Sequence, residues 1–576
     1  MLPLSSWVFP DGHNKDYESG LVEELHVHPV VARILMHRNI HCPDRAKRFL
    51  SPSLDHLHNP FLLCDMEKAV QRTIDAITSH SHITIYGDYD ADGITSTALL
   101  LDFFRKCHTP VSYYIPNRID EGYGLNKQAV DRLAHNGASL IITVDCGVSD
   151  KDEIAYARSL GIDTIVLDHH EIQEIPSHAA AVINPHRTDN DFPFRDLAGV
   201  GVAFNFLIAL RGRLRDAGFW DNSSYPNLKE YLDLVALGTI ADLVPLVDEN
   251  RIFAKYGLEI INSNPRTGIR ALILVSNIND KTILSETAAF TLIPRINAAG
   301  RIGSPADAVE MLTSQDLTEA ITRAERLDAH NAKRKDMENA ILTEILTQIT
   351  TEEQDENMNY ALVFSSEKWH PGVIGIVASR LVDRFYRPTV LFSLKDGIGK
   401  GSARSINEFD LYRGLQDYCS SLLLSFGGHQ YAAGLSISAD DIDDFSFHLS
   451  AAVRDRTDGI SLTPQTHIDA VCPLETIDHH LMEQLAALEP FGYGNPEPLL
   501  CSHDTTIASS TIVGNHHLKM KITAHDFIFD SIWFNMGSVF NELTDESHDI
   551  IFTPQMNNWN NRTTIQLKMK DMAKRG

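Results

Sequence analysis

Three aspartates at alternate positions mark the first stretch of the chain that could carry out chemistry. Asp88, Asp90 and Asp92 follow the β-branched and aromatic run Ile83–Tyr86, which predicts a buried strand. The apolar residues after Gly93 recur at intervals of three and four, which predicts a helix. Carboxylates at such a junction lie at the carboxyl edge of an α/β sheet, where ligands bind. Because like charges this close repel one another, an oxygen cluster of this kind favours bound Mg²⁺ or Mn²⁺.

The same pattern recurs twice further along the chain. The apolar run Leu140–Val144 ends at Asp145, and the run Thr164–Leu167 ends at an Asp-His-His triplet. The polar stretch between the two runs predicts a helix, and strand, helix and strand in this order predict a parallel sheet. Three strands then deliver acidic or imidazole groups at one edge. The first aspartates alone could form a solvated acidic turn, but three such strand ends argue against that alternative.

A further acidic position lies at the end of an apolar helix. Residues 231–242 predict a helix that finishes on Asp242, shortly before Pro245 prevents its continuation. A carboxylate after so apolar a stretch must be paired or bound to a metal ion if it is buried. The candidate site residues of this part of the chain are Asp88, Asp90, Asp92, Asp145, Asp168, His169, His170 and Asp242.

This set of side chains predicts a pair of divalent cations, Mn²⁺ better than Mg²⁺, because imidazole is the softer ligand. Two such ions can clamp the attacking and leaving oxygens of an in-line phosphoryl displacement and activate a water molecule. A zinc hydrolase is disfavoured, because carboxylates dominate the set and it contains no Cys ligand. Serine catalysis has little support, since the sequence contains no Gly-x-Ser-x-Gly elbow.

Arginines and glycine-rich loops further along the chain predict phosphate contacts. The segment 294–301 contains two arginines, and arginine suits bidentate contact with phosphate oxygens. Two glycine-rich loops, 399–405 and 427–434, let backbone amides approach a phosphate and carry Ser, Arg and His donors. The predicted substrate contacts in these segments are Arg295, Asn297, Arg301, Ser402, Arg404 and His429.

Length and composition limit the class of protein. A chain of 576 residues is too long for one hydrophobic core, since domains usually have about 100–200 residues. The net charge of −27 argues against binding nucleic acid by overall charge, but it allows a local basic channel. Seven cysteines without Cys-x-x-Cys spacing indicate a reducing compartment. Because no signal peptide or membrane-spanning apolar run is evident, we expect a cytoplasmic protein.

The pattern along the chain predicts five segments. They are an N-terminal helical segment over 1–75, a catalytic parallel-sheet α/β domain over 76–315, a long connecting helix over 316–357, a smaller α/β domain over 358–455 and a C-terminal β-barrel over 456–576. Within the first segment we expect two helices, separated at Ser51-Pro-Ser. Alternating apolar and polar residues at 518–522 and 565–570 predict half-exposed strands of the barrel. Their lysines either track a phosphate backbone or only keep the surface soluble.

Several motifs resemble those of known proteins. Residues 88–93, 144–147, 167–171 and 238–242 resemble the four ordered motifs of the DHH phosphoesterase superfamily, and 427–434 resembles the signature of its associated DHHA1 domain. More narrowly, 115–124, 294–301, 371–380 and 488–496 resemble the bacterial RecJ family. The resemblance spans nearly the whole chain. It implies a 5′-to-3′ exonuclease that degrades single-stranded DNA to mononucleotides in recombination and in mismatch and base-excision repair. It also implies that the C-terminal barrel is an oligonucleotide-binding (OB) fold.

The resemblance also implies roles for individual residues at the metal site. The family's metal ligands fall on Asp88, Asp90, Asp92, Asp145, His169 and Asp242. His170 would face the scissile phosphate, and Asp168 and Arg301 would be further catalytic residues. The cofactors implied are two divalent ions, Mn²⁺ or Mg²⁺.

Substrate and partners are implied in the same way. Arg118, Ser402 and Arg404 would hold the 5′ end of the strand, and Arg301 and His429 would hold backbone phosphates. The family usually has glycine at position 403, where this chain has alanine, and the pair 430–431 also differs from the commoner one. The implied partners are single-stranded DNA, a single-stranded-DNA-binding protein and a RecQ-type helicase. We expect a monomer without membrane contact.

Two alternative functions lie within the same superfamily. One is a small-substrate phosphodiesterase or pyrophosphatase, but such proteins are typically shorter and have no C-terminal barrel. The other is a nuclease-inactive scaffold of the replication-factor kind, for which eroded motifs are expected. The acidic residues and histidines that the motifs require are all present in this chain, which favours the exonuclease.

A second Asp-His-His triplet, at 478–480, offers an internal control. No strand precedes this triplet and a helical pattern follows it, so we interpret Asp478 as a helix N-cap. We therefore expect His479→Ala to hydrolyse single-stranded DNA at close to the wild-type rate. Under the same conditions, His169→Ala should be inactive. The two rates are measured side by side on one labelled oligonucleotide, and a large loss in His479→Ala would contradict the interpretation.

Overall fold

The computed structural model describes most of the chain, with short gaps. The described residues are 4–10, 15–118, 120–221, 225–351, 360–458, 462–514, 516–544, 546–559 and 562–575. The predicted fold class is confirmed, since a parallel-sheet α/β domain, a long helix, a smaller α/β domain and a barrel follow one another. Among the described residues, no helix combines the length and the apolar character that are needed to cross a bilayer.

The N-terminal part is helical, as predicted, but it contains more than two helices. Its elements are β1 (Ser6–Val8), α1 (Lys15–Leu25), α2 (Pro29–His37), α3 (Pro43–Leu50) and α4 (Met66–Thr78). The break at Ser51-Pro-Ser is confirmed, because α3 ends just before it. The prediction missed the ends of α1 and α2 because His26 and Asn39 take the left-handed φ values of 55° and 58° there. Glycine usually marks such positions, and neither residue signals a helix end in the sequence.

The first sheet has five strands, all parallel. Its elements are β2 (Ile83–Gly87), α5 (Ala91–Lys106), β3 (Val111–Tyr114), α6 (Lys127–His135), β4 (Leu140–Val144), α7 (Lys151–Ser159), β5 (Asp163–Leu167) and β6 (Ala181–Ile183). The strand order is β3-β2-β4-β5-β6, so the direction of winding reverses between β2 and β4. In open α/β sheets, ligands bind outside the carboxyl ends of the strands at this switch point.

A group of helices completes the first α/β domain. They are α8 (Gly199–Asp216), α9 (Leu232–Ala241), α10 (Asp248–Ser263), α11 (Thr267–Val275), α12 (Ser285–Thr287), α13 (Ile293–Ile302) and α14 (Pro305–Thr313). The predicted helix end at Asp242 is confirmed, since this residue is the C-terminal cap of α9. Between α12 and α13 the chain makes a π-helical turn over Ala288–Leu292, a feature that often occurs at functional sites.

The long connecting helix and a second sheet follow. Their elements are α15 (Leu317–Thr351), β7 (Leu362–Ser366), α16 (Ile374–Phe385), β8 (Thr389–Lys395), β9 (Ile398–Arg404), α17 (Leu411–Gly414), β10 (Leu423–Gly428), β11 (Ala432–Ser438) and α18 (Ile442–Arg456). The strand order is β10-β11-β9-β8-β7, and only β7 and β8 are parallel. The glycine-rich segment 399–405 was predicted as a loop, and this was wrong for most of it. Residues 398–404 form β9, because backbone hydrogen bonds to β8 and β11 override the low strand propensity of glycine.

The C-terminal part is a closed barrel. Its elements are β12 (Gln465–His467), β13 (Ala470–Val471), α19 (His479–Ala486), β14 (Leu500–Val513), β15 (His517–Ala524), β16 (Phe527–Trp533), β17 (His548–Trp559) and β18 (Arg562–Lys574). Strands β14, β15, β16, β18 and β17 pair in this order, and β17 pairs back with β14 to close the ring. Before α19, the Asp478 carboxylate accepts a hydrogen bond of 2.8 Å from the backbone N–H of Leu481, so the predicted N-cap is confirmed.

The chain forms two compact units, each built from separate stretches of sequence. One unit contains Met1–Leu57, Pro245–Lys255 and Thr463–Gly576, and the other contains His58–Val244 and Tyr256–Leu462. In the first unit, apolar residues of α2 such as Ile34 and Leu35 share a core with the barrel strands. The N-terminal residues up to Leu57 belong to the same unit as the barrel.

Arg251 holds three distant parts of the first unit together. Its guanidinium is fully buried and donates hydrogen bonds of 2.8–3.0 Å to backbone carbonyls of four residues. These are Phe49, Ala487, Leu488 and Glu489. Burial lowers the pKa of Arg251 to about 9, which reflects the cost of removing this cation from water. The carbonyl contacts offset that cost.

We expect Arg251→Met to destabilise this unit strongly. The substitution leaves buried carbonyls without a donor, at a cost of about 1–3 kcal/mol for each group, so Tm should fall by roughly 5–10 °C. Differential scanning calorimetry measures the shift. Arg454→Met, at an exposed position of α18 in the other unit, serves as the control. An unchanged Tm in Arg251→Met would show that the carbonyl contacts contribute nothing to stability.

Candidate active site

The register of the first sheet brings the predicted acidic residues together. The last residues of β2, β4 and β5 pair directly across the sheet. The residues that follow them, Asp88, Asp145 and Asp168, therefore leave the sheet side by side at the switch point between β2 and β4. All three side chains are buried. Asp145 takes a left-handed backbone conformation with φ of 60°, an unfavourable geometry that is typical of functional sites.

Side chains from four parts of the chain form overlapping groups that could hold metal ions. Within each group, one possible ligand atom per residue lies within 4.8 Å of the others. The groups are Asp88, Asp90 and Asp145; Asp92, His169 and Asp242; and Asp145, His169 and His170. The structure thus brings together all six residues that the sequence predicted as metal ligands. Their assignment as ligands stays a prediction.

Several of these buried atoms have no hydrogen-bond partner among the described residues. They are Asp88 Oδ1, Asp145 Oδ1, His169 Nε2 and Asp242 Oδ2. His169 Nε2 lies 3.2 Å from Asp145 Oδ1 and 3.5 Å from Asp242 Oδ2. Ligands at right angles on a Mg²⁺-sized ion lie about 3 Å apart, given metal–oxygen distances of about 2.1 Å. A divalent cation therefore fits both the donor types and their spacing.

Burial and mutual repulsion shift the pKa values of the acidic groups. Burial, followed by the neighbouring Asp90 carboxylate, raises the pKa of Asp92 to about 7. Burial, followed by the charges of neighbouring aspartates, raises the pKa values of Asp88, Asp145 and Asp242 well above their ordinary range. A nearby cation is what would keep such carboxylates ionised, since it reverses the local electrostatics.

Asp90 and Asp92, in the turn after β2, accept hydrogen bonds from helix N-termini. The Asp90 carboxylate caps α5 by accepting hydrogen bonds from the backbone N–H groups of Asp92 and Gly93, at 2.9 and 3.2 Å. The two oxygens of Asp92 accept from the first N–H groups of α8, those of Gly199 and Val200, at 2.7 and 2.8 Å. Helix N-termini carry partial positive charge, so these contacts offset part of the repulsion. Glycine is needed at position 199, because a Cβ there would lie 2.9 Å from the Asp145 side chain.

Asp168 orients His170 and is not itself among the grouped ligand atoms. Its Oδ1 accepts hydrogen bonds from His170 Nδ1 at 2.7 Å and from the backbone N–H of His169 at 2.7 Å. Its Oδ2 accepts from the backbone N–H of Val148 at 3.0 Å. Burial would raise the pKa of Asp168, but the hydrogen bond from His170, the charges of His170 and His169 and the backbone N–H of Val148 together lower this pKa to about 2. The carboxylate is therefore charged and fixes the imidazole ring.

Tyr123 is a site residue that the sequence analysis did not single out. Its hydroxyl donates to the backbone carbonyl of Asp145 at 3.0 Å and lies 3.1 Å from His170 Nδ1. The only sequence signal for it was its position within the motif 115–124. Nothing in that motif indicates that the loop returns to the sheet edge, so the contact could not be inferred from spacing.

Three arginines from distant parts of the chain converge in the same unit. Arg118 follows β3, Arg301 lies in α13, and Arg404 ends β9. Burial, followed by the charges of Arg118 and Arg334, lowers the pKa of Arg301 to about 10, and Arg404 acts in the same direction. Burial and then Arg118 also lower the pKa of Arg404. A bound anion would relieve this repulsion, because an opposite charge nearby favours the charged form of each guanidinium.

The remaining predicted substrate residues have different environments. Asn297 Oδ1 accepts a 2.8 Å hydrogen bond from the backbone N–H of Ala91, so it joins α13 to the first turn of α5. Arg295 is paired with Asp328 of α15 at 2.8 Å, which occupies its guanidinium within the helices. His429 is exposed on the hairpin between β10 and β11. Substrate contact by each of these residues stays a prediction.

Three family models match the chain in the order of its domains. The DHH family, N-terminal domain, matches residues 82–239, the DHHA1 domain matches 357–455, and the RecJ OB domain matches 468–571. The single-stranded-DNA-specific exonuclease RecJ of Bacillus subtilis is 38% identical over 566 residues, which cover 97% of this chain and 70% of that protein. The protein of the same name from Escherichia coli is 37% identical over 521 residues, which cover 88% of this chain and 89% of the relative.

Solved structures agree with these matches. A crystal structure of RecJ from Thermus thermophilus in complex with Mn²⁺ superposes with a TM-score of 0.85 at 28% identity, covering 100% of this chain and 80% of the other. A structure of RecJ from the same organism in complex with Mg²⁺ gives a TM-score of 0.79 at 27% identity, covering 100% of this chain and 79% of the other. The similarity therefore includes the whole order of domains.

We expect Asp145→Asn to lose metal binding without destabilising the metal-free protein. The substitution removes one of several buried carboxylates that repel one another, so Tm without metal should stay unchanged or rise. Ligand at 100 times its Kd stabilises a protein by about 2.7 kcal/mol, so Mn²⁺ should raise the Tm of the wild type but not of Asp145→Asn. Thermal unfolding with Mn²⁺ and with EDTA measures both effects.

The matched control for this prediction is Asp336→Asn, at an exposed position of α15. It should keep both the Mn²⁺-dependent rise in Tm and the hydrolysis of single-stranded DNA. If Asp145→Asn showed the same rise in Tm with Mn²⁺ as the control, the assignment of Asp145 as a metal ligand would be wrong.

Proposed function

The chain belongs to the RecJ family of single-stranded-DNA-specific exonucleases, and from this premise we propose how its own residues carry out the reaction. The protein degrades single-stranded DNA from the 5′ end to mononucleotides by metal-dependent hydrolysis of phosphodiester bonds. The observation that supports this most directly is the cluster of partnerless buried ligand atoms at the sheet edge. A converging group of arginines in the same unit adds a site for phosphate.

The residues that would hold two divalent ions, Mn²⁺ or Mg²⁺, are Asp88, Asp90, Asp92, Asp145, His169 and Asp242. When bound, such ions activate a water molecule and stabilise the charge that develops on the phosphate. His169 suits this role, because burial lowers its pKa to about 3 and leaves the imidazole neutral, as a metal ligand must be. Asp92 keeps its orientation through the backbone N–H groups of α8.

His170 is the residue that faces the scissile phosphate in this proposal. Asp168 holds its Nδ1 at 2.7 Å, and this fixes the plane of the ring. Tyr123 contacts the same ring from the loop after β3, so the imidazole is held from two sides. A ring held in this way can donate a hydrogen bond to a non-bridging phosphate oxygen without losing side-chain entropy in the reaction.

Recognition of the 5′ end explains the direction of degradation. A terminal phosphate carries an additional charge and an additional free oxygen compared with an internal one. Arg404 donates hydrogen bonds to Ser402 Oγ and to the carbonyl of Ala403, which aligns its guanidinium on the second sheet. Together with Arg118, Ser402 and Arg404 form the pocket for this phosphate, since arginine forks match phosphate oxygens. Arg301 donates a hydrogen bond to the carbonyl of Gly372, just before α16, and would be a further phosphate contact.

The cellular role is a further part of this proposal. We place the protein in the cytoplasm, in DNA recombination and repair, as a monomer that works with a single-stranded-DNA-binding protein and a RecQ-type helicase. All seven cysteines are free, which is in keeping with a reducing compartment. The closed barrel supports additional contact with single-stranded DNA, because barrels of this kind bind oligonucleotides.

One assay tests the proposed activity. The protein is incubated with single-stranded and duplex oligonucleotides labelled at either end, in Mn²⁺, Mg²⁺ or EDTA, and the products are sized. We expect a 5′ label to leave at once as a mononucleotide, while a 3′-labelled strand shortens stepwise. Duplexes and samples with EDTA should stay intact. Release of the 3′ label first would refute the proposed polarity.

We expect Arg404→Ala to weaken the preference for 5′-phosphorylated strands. The terminal phosphate loses a bidentate, charge-assisted contact worth about 1.5–3 kcal/mol, so kcat/KM on these strands should fall roughly 10- to 100-fold. The value for 5′-hydroxyl strands should change much less. Steady-state rates on the two substrates measure the ratio. If both substrates slowed equally, Arg404 would be a general backbone contact and the end pocket would lie elsewhere.

A further inference from the structure

The long helix α15 buries three polar side chains, three and four residues apart, on one face. Asn331, Arg334 and Glu338 are only 2%, 9% and 0% exposed. Burying a carboxylate and a guanidinium costs free energy unless they are paired and hydrogen-bonded. None of these residues is a proposed metal ligand or phosphate contact, although the charge of Arg334 acts on Arg301.

Glu338 joins α15 to α16. One of its oxygens accepts a hydrogen bond from Arg334 Nη1, and Arg334 also donates to Asn331 Oδ1 at 3.2 and 2.8 Å. The other oxygen lies 3.2 Å from Arg380 Nη2 of α16. Arg380 Nη1 in turn donates to Asn339 Oδ1 at 3.2 Å. The buried carboxylate therefore bridges one arginine of its own helix and one of the neighbouring helix.

The N-terminus of α16 is in contact with residues proposed to bind phosphate. A Cβ at Gly375 would lie 2.7 Å from Ser402 Oγ and 3.1 Å from Arg404 Nη2. Just before the helix, the carbonyl of Gly372 accepts a hydrogen bond of 3.2 Å from Arg301. A displacement of α16 along its axis would therefore move the groups on both sides of the pocket.

Apolar packing alone does not fix that axial position. Ile341 and Ile345 of α15 pack with Val377, Ala378 and Leu381 of α16 in one hydrophobic cluster. Such contacts are non-directional, so they hold the helices together but tolerate small shifts. A buried ion pair adds little net stability compared with apolar residues of the same size, and its best-attested use is to select one register. Arg380 of α16 adds two polar contacts to α15, an ion pair with the buried Glu338 carboxylate and a hydrogen bond to Asn339 Oδ1.

We propose that Glu338 is a positioning residue for recognition of the 5′ end. Through Arg380 it sets the position of α16, and thereby the alignment of Ser402, Arg404 and Arg301 around the terminal phosphate. This inference rests on the proposed function of that pocket. Glu338 is buried and touches no substrate, so its effect is confined to how the pocket is aligned.

The experiment compares steady-state kinetics on 5′-phosphorylated and 5′-hydroxyl single strands. A misplacement of about 1 Å can cost on the order of 100-fold, so for Glu338→Gln we expect about a tenfold rise in KM on the phosphorylated strand. We expect kcat to change little and the 5′-hydroxyl strand to be affected less. Arg380→Gln removes the other partner and should act in the same direction. Asp336→Asn, exposed on α15, should leave both substrates unchanged.

A second variant separates positioning from stability. Glu338→Gln leaves the buried Arg334 and the exposed Arg380 without the carboxylate they share, so it could fail to fold. Replacing both Arg334 and Glu338 by Met removes the charges at similar volume and should keep the Tm, as such replacements often do. The double variant should nevertheless lose the preference for the 5′-phosphorylated strand.

An unchanged ratio of kcat/KM between the two strands in the folded variants would overturn the inference, even if Tm fell. Arg404→Ala distinguishes this result from failure of the proposed pocket. If Arg404→Ala loses the preference and the Glu338 variants keep it, only the positioning role is wrong. If Arg404→Ala also keeps the preference for the 5′-phosphorylated strand, the assignment of the pocket is wrong, and the positioning role of Glu338 is refuted together with it.

Discussion

Mutual repulsion among buried carboxylates is the constraint on which the rest of the molecule depends. Five aspartates with their side chains close together at the edge of a parallel sheet would repel one another strongly in a low-dielectric environment. Their pKa values are raised by burial and by one another, and several of their oxygens have no hydrogen-bond donor among the described residues. A site of this kind is unfavourable for folding without cations, and the surrounding structure has to hold it in place.

Backbone dipoles offset part of the repulsion among these carboxylates. The parallel strands end at the same level, which places the acids together, and the helices that follow begin there with free N–H groups. Those of α5 and α8 donate to Asp90 and Asp92, so partial positive charge stabilises part of the cluster. The close approach of α8 requires glycine at its first position. The same geometry that places negative charge at this edge therefore also limits its repulsion.

A second electrostatic feature has the opposite sign. Arg118, Arg301 and Arg404 come from a loop of the first α/β domain, from a helix, and from a strand of the second α/β domain. The charge of Arg118 lowers the pKa of both Arg301 and Arg404, in keeping with guanidinium groups that lie near one another. A group of acids that favours cations and a group of arginines that favours anions suit the proposed hydrolysis of a polyanion with a charged end. The net charge of −27 gives no sign of this local arrangement.

The sequence by itself determined the local elements of the site. Apolar runs ending in Asp145 and in the Asp-His-His triplet, and the apolar helix ending at Asp242, all form as predicted. These elements can be predicted from the sequence because hydrophobic periodicity and helix caps depend only on residues that are close together in the chain. The Asp478 N-cap was distinguishable from a metal site for the same reason, since no strand precedes it.

Tertiary structure alone decided which side chains meet. The contact of Tyr123 with His170, the pairing of Arg295 with Asp328, and the backbone contacts of Arg251 all join residues far apart in the chain. Strand pairing also made residues 398–404 a strand against their local propensity, and core packing joined α2 to the barrel. These features depend on long-range packing and desolvation, which change the environment of a residue without any signal in its local sequence.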